Sequence, residues 1–157
     1  MNVLMIEVPT REMDGSVPFG VLYAASSAHR HGHNVKIVDL VKEDLSNDDL
    51  IELIRDYSPR VIGIGGITSS YKICKELIGH IKKHYNTIPI VVGGVIASVS
   101  DLLLTKAGAD YVVHGEGEIT FPQLIAALEN GEDLSNVKGI SFYENGHITR
   151  TGINCKY

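Results

Sequence analysis

The chain has 157 residues and a formal net charge of −5, the size and balance of one ordinary globular domain around one core. It carries no basic cluster to suit nucleic acid or an anionic membrane surface. No apolar run approaches the roughly 20 residues of a membrane span, and the start MNVLMIEVPT lacks a basic leader region, so the expected compartment is the cytoplasm.

In chain order, strand-like runs alternate with helix-like ones. Val3 to Val8 is a run rich in Val and Ile that reads as a strand buried on both faces. A helix is expected over Pro18 to Arg30, with a proline at its first turn and Gly32 as its stop. Asn34 to Asp39 is the second strand. Asp48 to Tyr57 is the second helix, ended by Pro59. Arg60 to Gly65, Ile88 to Val92 and Tyr111 to Val113 are three further strands. They are followed by helices over Ser69 to His84, Ser98 to Lys106 and Glu118 to Glu129. The tail Val137 to Arg150, with Asn145-Gly146 between two short runs, reads as a hairpin.

Five strand-then-helix repeats with short connections give an α/β three-layer sandwich, a five-stranded parallel sheet covered on both faces by right-handed crossovers. Functional groups then belong on the loops after the strand C-terminal ends, near the point where strand order reverses. Those loops are Pro9 to Val17, Asp39 to Leu45, Gly66 to Ser69, Gly93 to Ala97 and His114 to Glu118.

The usual ligands of such a sheet leave marks that are missing. A nicotinamide dinucleotide needs glycines straight after the first strand, where this chain has PTREMDGSVPFG. A flavodoxin phosphate loop would stand there too, but Arg11, Glu12 and Asp14 occupy it. A phosphorylation receiver needs aspartates where the third strand instead runs into Gly65-Gly66-Ile67-Thr68. The turn Gly115-Glu116-Gly117-Glu118 has a phosphate loop's glycines, yet two carboxylates would repel an anion. Together these small, neutral or acidic loops predict a broad, shallow shelf for a large flat ligand. Backbone amides and hydroxyls would supply its hydrogen bonds, and carboxylates would accept N–H groups.

The series Pro18-Phe19-Gly20-Val21-Leu22-Tyr23, Gly32-His33-Asn34-Val35 with Asp39, Val61-Ile62-Gly63-Ile64 with Thr68, Gly93-Gly94, and Ala109-Asp110-Tyr111-Val112-Val113 before Gly115-Glu116-Gly117-Glu118 and Thr120 resembles the cobalamin-binding domain that precedes the catalytic core of radical S-adenosylmethionine enzymes. The resemblance covers nearly the whole chain. It implies a flavodoxin-like sheet with cobalamin on its C-terminal edge, as methyl carrier or redox partner in an enzyme of methyltransferase or iron–sulfur oxidoreductase type. Carried over, the cofactor contacts are Thr68 and Ser69, then Gly93, Gly94 and Val95, then Gly115, Glu116, Gly117 and Glu118. Other cobalamin domains carry DxHxxG after the first strand, which places a histidine beneath cobalt; Thr10 to Gly15 has none. The resemblance therefore implies a displaced base and a lower axial position left empty, aqueous or met weakly from the first loop, where Met13 is a candidate.

The CxxxCxxC motif that would hold a 4Fe-4S cluster for S-adenosylmethionine chemistry does not occur. Residues 1–135 are thus expected to form the cobalamin-binding domain. Residues 136–157 would be a hairpin and connector towards a catalytic domain supplied in cis or in trans, and the chain alone would not be catalytic. The alternative is a flavodoxin-like regulatory or interaction domain without cofactor; a small nucleotide-binding enzyme, a third option, lacks its phosphate loop.

Plainer readings attach to the same residues. Thr68 and Ser69 would cap the third helix whatever is bound, and Glu118 suits a positive helix end. Asp39 and Glu7 read as structural, His33 as locally packed, and His114 as a loop histidine. Cys74 and Cys155 match no metal-ligand spacing and fit a reducing compartment.

Overall fold

The computed structural model describes residues 1–9, 17–40 and 42–152. Seven strands form one sheet: β1 (Asn2–Glu7), β2 (Asn34–Asp39), β3 (Val61–Gly65), β4 (Ile90–Gly93), β5 (Tyr111–Val113), β6 (Ile140–Glu144) and β7 (His147–Arg150). Their order is β2-β1-β3-β4-β5-β6-β7. The first five are parallel, and β6 and β7 continue antiparallel. The flavodoxin-like fold is therefore as expected. The tail hairpin is not a separate appendage but extends the sheet to seven strands, because Ile140 and Phe142 bury their side chains and β5 offers them an open edge.

Alternation sorts the strand side chains onto two faces. Leu4, Ile6, Ile62, Ile64, Ile90 and Val92 point to one face and pack under α2 (Asn47–Tyr57) and α3 (Tyr71–His84). Val3, Met5, Val61, Val91 and Val113 point to the other and meet α1 (Phe19–Arg30) and α5 (Gly117–Asn130). Small residues on α1, namely Ala24, Ala25 and Ala28, let that helix lie close to the sheet and to α5. Removing a large aliphatic side chain such as Ile62 to Ala from either layer would cost about 2–5 kcal/mol.

Local signals stop the helices where the sequence places them. Ser46 caps α2 through a reciprocal bond with Asp49. Gly131, at φ 67, takes the left-handed position that ends α5. The expected helix over Ser98 to Lys106 is instead a 3₁₀ turn Val95–Val99, a short α4 (Ser100–Leu102) and a π-helical turn Leu103–Ala107. Thr105 contributes to this irregularity: its hydroxyl donates to the Asp101 carbonyl at 2.6 Å and competes for an acceptor that a regular helix uses. At the opposite end of the strands, Asp110 accepts from Lys82 Nζ at 2.6 Å and from the Ile90 amide at 2.7 Å, fixing where β4 begins. Among the described residues no helix is long and apolar enough to cross a membrane.

Candidate functional site

The strand order reverses between β1 and β3: from β1 the chain goes outward to β2, then returns to β3 on the other side. The C-terminal ends of β1 and β3 thus flank the crevice, and their last residues, Glu7 and Gly65, are register partners. Three loops meet above them. The Val8 amide donates to Gly65 O at 3.1 Å, and the Ile96 amide donates to Gly66 O at 3.1 Å. Thr68 Oγ1 and Ser98 Oγ are 3.0 Å apart. Ser70 Oγ donates to Pro9 O at 3.1 Å. These bonds tie the loops after β1, β3 and β4 into one platform.

Beneath the platform is a cavity of about 490 Å³, running between the sheet and the α1/α5 layer. This corrects the expected shallow shelf. Part of its floor is β3, whose alternation VIGIG puts isoleucines on the α2/α3 face and Val61, Gly63 and Gly65 on the other. A Cβ on Gly63 would come within 2.5 Å of Met5 Sδ. One on Gly65 would overlap Val21 Cγ2 and lie 2.9 Å from Glu7 Oε2. Neither glycine has positive φ, so space alone calls for them. Met5, Val21, Val91, Val113 and Phe121 supply apolar walls, and the slot suits a flat apolar group.

The sequence-predicted residues fall into two sets. Gly93, Gly94, Val95, Gly115, Glu116, Gly117 and Glu118 all line the cavity. Gly94 has φ 88, and a Cβ there would lie 3.0 Å from Gly66 O, so a side chain would press the two loops apart. Gly117 brings the start of α5 close to α1: its Cβ would be 3.8 Å from that of Ala24. Glu116 is exposed and Glu118 half-buried. Neither carboxylate has a hydrogen-bond or ion-pair partner among the described residues, so both remain available as acceptors at the rim.

Thr68 and Ser69 lie outside the cavity lining, on the exposed upper surface of the platform. They do not cap α3, whose start has no side-chain cap. The reason is the intervening 3₁₀ turn Thr68–Ser70, which turns the Thr68 hydroxyl towards Ser98 and the Val95 carbonyl. His33 is buried at the far sheet edge, 3.4 Å from the N-terminal amine. His114 places Nε2 2.7 Å from Ser141 Oγ, tying the β5 loop to β6; burial and Arg150 hold its pKa below the usual histidine range. The candidates Arg11, Glu12, Met13 and Asp14, with Cys155, lie outside the described residues.

Glu7 and Asp39, read from the sequence as structural, both line the cavity. Burial, reinforced by the negative charge of Asp39, pushes the Glu7 carboxyl up to about 7. Asp39 itself lies 3.2 Å from Lys42 Nζ. Around the mouth Val17, Phe19, Tyr23 and Val95 are all exposed, Val95 by 66%. The sequence signal for the slot is the pair of glycines two apart within β3, a spacing that sets both on one face of the strand.

Residues 11–125, well over half of the chain, match the family model described as the B12 binding domain. The chain is 34% identical over 156 residues to an uncharacterized methyltransferase of Pyrococcus horikoshii, covering 94% of this chain and 34% of that protein. It is 30% identical over 161 residues to the anaerobic magnesium-protoporphyrin IX monomethyl ester cyclase of Synechocystis sp., covering 96% of this chain and 32% of that one. Two solved structures share the fold. One is the cobalamin-dependent S-adenosylmethionine radical enzyme OxsB with aqua-cobalamin and S-adenosylmethionine bound, with TM-score 0.84 and 20% identity, covering 99% of this chain and 22% of that one. The other is the radical S-adenosylmethionine methyltransferase TsrM of Kitasatospora setae with cobalamin and a 4Fe-4S cluster bound, with TM-score 0.79 and 21% identity, covering 98% and 29%. The chain spans about a third of the length of the curated relatives it matches.

Proposed function

The chain belongs to the B12-binding domain family, and from this we propose that it is the cofactor module of a radical S-adenosylmethionine enzyme of methyltransferase or iron–sulfur oxidoreductase type. Bound cobalamin would supply a cobalt centre able to carry a methyl group or pass electrons. A catalytic domain, in cis or in trans, would bring the 4Fe-4S cluster and S-adenosylmethionine. In this reading residues 1–135 carry the cofactor and residues 136–157 lead towards that domain. The compartment we assign is the cytoplasm, consistent with the free, buried thiol of Cys74.

The observation that carries the proposal is the glycine-floored slot beneath a platform of small residues. Cobalamin has a broad corrin disc rimmed with amides and a narrow nucleotide arm ending in a flat aromatic base. The cavity of about 490 Å³ suits the arm and its base, and the exposed platform above it suits the disc. We assign disc contacts to Thr68 and Ser69, to Gly93, Gly94 and Val95, and to Gly115 through Glu118. The carboxylates of Glu116 and Glu118 would accept from corrin amides, while the left-handed Gly94 lets backbone approach without a Cβ. The apolar walls would exclude water from the base and hold it away from cobalt.

The test is an absorbance titration of the purified chain with hydroxocobalamin. Saturable binding with a base-displaced spectrum is expected. A folded Glu116→Ala/Glu118→Ala variant should bind at least tenfold more weakly, since two charge-assisted hydrogen bonds at about 1.5 kcal/mol each are removed. Unchanged affinity in that variant would remove the loop assignment, and no binding by the unaltered chain would remove the slot as an arm site.

A further inference from the structure

Glu7 is an acid at the crevice between β1 and β3, facing the slot opposite Gly65. Among the described residues its side chain has no hydrogen-bond or ion-pair partner. Its charged neighbours in the cavity, among the described residues, are three carboxylates and one ammonium. Asp39 comes from the end of β2, and Lys42, 3.2 Å from it and drawn towards its carboxylate, is the one cation among the described residues that lines the cavity. From the start of α5, Glu116 and Glu118 line the same cavity. α1 contributes Val21 and the Tyr23 phenol, and β3 contributes Gly65, so neither brings a cation.

A carboxylate in such a place opposes an anion, whereas a carboxylic acid can donate one hydrogen bond to it. The nucleotide arm of cobalamin contains a phosphodiester, the cofactor's own negative group. Resting on the assignment of the slot to that arm, we propose that Glu7 holds the arm in its protonated form, so that cobalamin binding draws a proton from solvent onto this carboxyl. Glu7 is then a positioning and affinity-setting residue that couples cofactor loading to pH. The geometry has an independent consequence in Gly65. A Cβ there would lie 2.9 Å from Glu7 Oε2 and push that flexible carboxyl aside, and glycine leaves it open to the slot.

The direction follows from linkage. The free carboxyl titrates at about 7, so below that value the binding form is already present, and above it a proton must be taken up. Affinity should therefore be steady in acid and weaken by about tenfold between pH 6 and pH 8. The experiment is calorimetric titration with methylcobalamin, whose methyl ligand does not titrate in this range, at pH 6, 7 and 8 in buffers of different ionisation enthalpy.

Uptake approaching about one proton per cofactor at pH 8 is expected. Glu7→Gln, which keeps a donor and loses the titration, should bind within about twofold of its pH 6 affinity at every pH and take up no proton. Cobinamide, which lacks the nucleotide arm, should bind the unaltered chain without this pH dependence. Saturable methylcobalamin binding with a flat profile and no proton uptake overturns the Glu7 assignment and leaves the cofactor reading intact. An equal pH dependence for cobinamide also overturns it, because the carboxyl would then act on the disc. Absence of binding by both forms at every pH overturns both readings.

Discussion

Replacing Gly65 by alanine should separate the packing of the slot from its chemistry. The new Cβ would overlap a methyl of Val21, which is 4% exposed and anchored on α1. Val21 is β-branched and cannot swing its methyl away without leaving its rotamer. The second contact, Glu7 Oε2 at 2.9 Å, is the end of a flexible side chain and yields cheaply. The clash with α1 therefore dominates, and overpacking of this kind costs about 1–3 kcal/mol. Val21→Ala removes the offending methyl and leaves Cβ at 3.7 Å from the new atom, an ordinary contact. Alone, that change loses two buried methyl groups, about 1–2 kcal/mol. In the double variant the losses should not add: urea unfolding followed by circular dichroism should give a double variant about 1–3 kcal/mol more stable than the sum of the singles. Gly63→Ala is the internal control, since its nearest neighbour is the pliable Met5 side chain, and it should cost less than Gly65→Ala. Additivity of the Gly65 and Val21 changes within about 0.5 kcal/mol would refute the claim that β3 is glycine-built to leave room against α1.

Three further outcomes follow from the same structure. Glu7→Gln should raise the stability of the cofactor-free chain at pH 8 and leave it unchanged at pH 4. The folded carboxyl titrates at about 7, above the ordinary 4.5, so the ionised form is penalised by folding: the penalty is absent below 4.5, grows through the interval and is complete above 7. After allowance for solvent screening it is on the order of 1–2 kcal/mol, to be read from denaturant midpoints at the two pH values; equal midpoint gains at pH 4 and 8 would contradict it. Asp110→Ala should lower stability by about 1–2 kcal/mol, because the Ile90 amide loses its acceptor and the Lys82 ammonium its carboxylate, keeping only carbonyls such as Ile88 O at 3.0 Å; an unchanged thermal midpoint would show that water replaces it without loss. In a Cys155→Ser background, Cys74 should resist a thiol-specific disulfide reagent until the chain unfolds, since burial pushes its thiol up to about 12; rapid labelling of native protein would contradict the burial.

The parts of the fold legible in the sequence were those governed by one dominant local force. Buried parallel strands read as continuous Val and Ile runs because both faces exclude water, so β1, β3 and β4 were found within a residue or two. The same reasoning set the tail hairpin apart, since antiparallel pairing at a turn is a local signal and attachment to the β5 edge is not. The stretch after β4 carried helix-forming residues, yet the Thr105 bond to a backbone carbonyl helps bend it away from a regular helix. The loop glycines were recognised from their ligand-like spacing. Whether Thr68 faces a ligand or a neighbouring loop depends on Ser98, 30 residues away, and no local pattern encodes that.

The slot is the instructive case. A glycine inside a strand weakens it for want of a packing side chain, and β3 spends two of its five positions that way, both on one face. The opposite face of the same strand carries Ile62 and Ile64, each at most 2% exposed. One strand thus contributes a full hydrophobic layer to the α2/α3 side and, beyond Val61, a thin floor to the α1/α5 side on which Met5 and Val21 close in. The cavity lies beside the reversal of strand order, where the chain leaves a crevice in any sheet of this order. A core selected only for stability would fill both faces to native density. Alternating Ile and Gly in the strand next to the crevice instead lets Met5 and Val21 settle onto a thin floor beneath the cavity, and Glu7, whose side chain has no ion-pair partner among the described residues, stands at its edge.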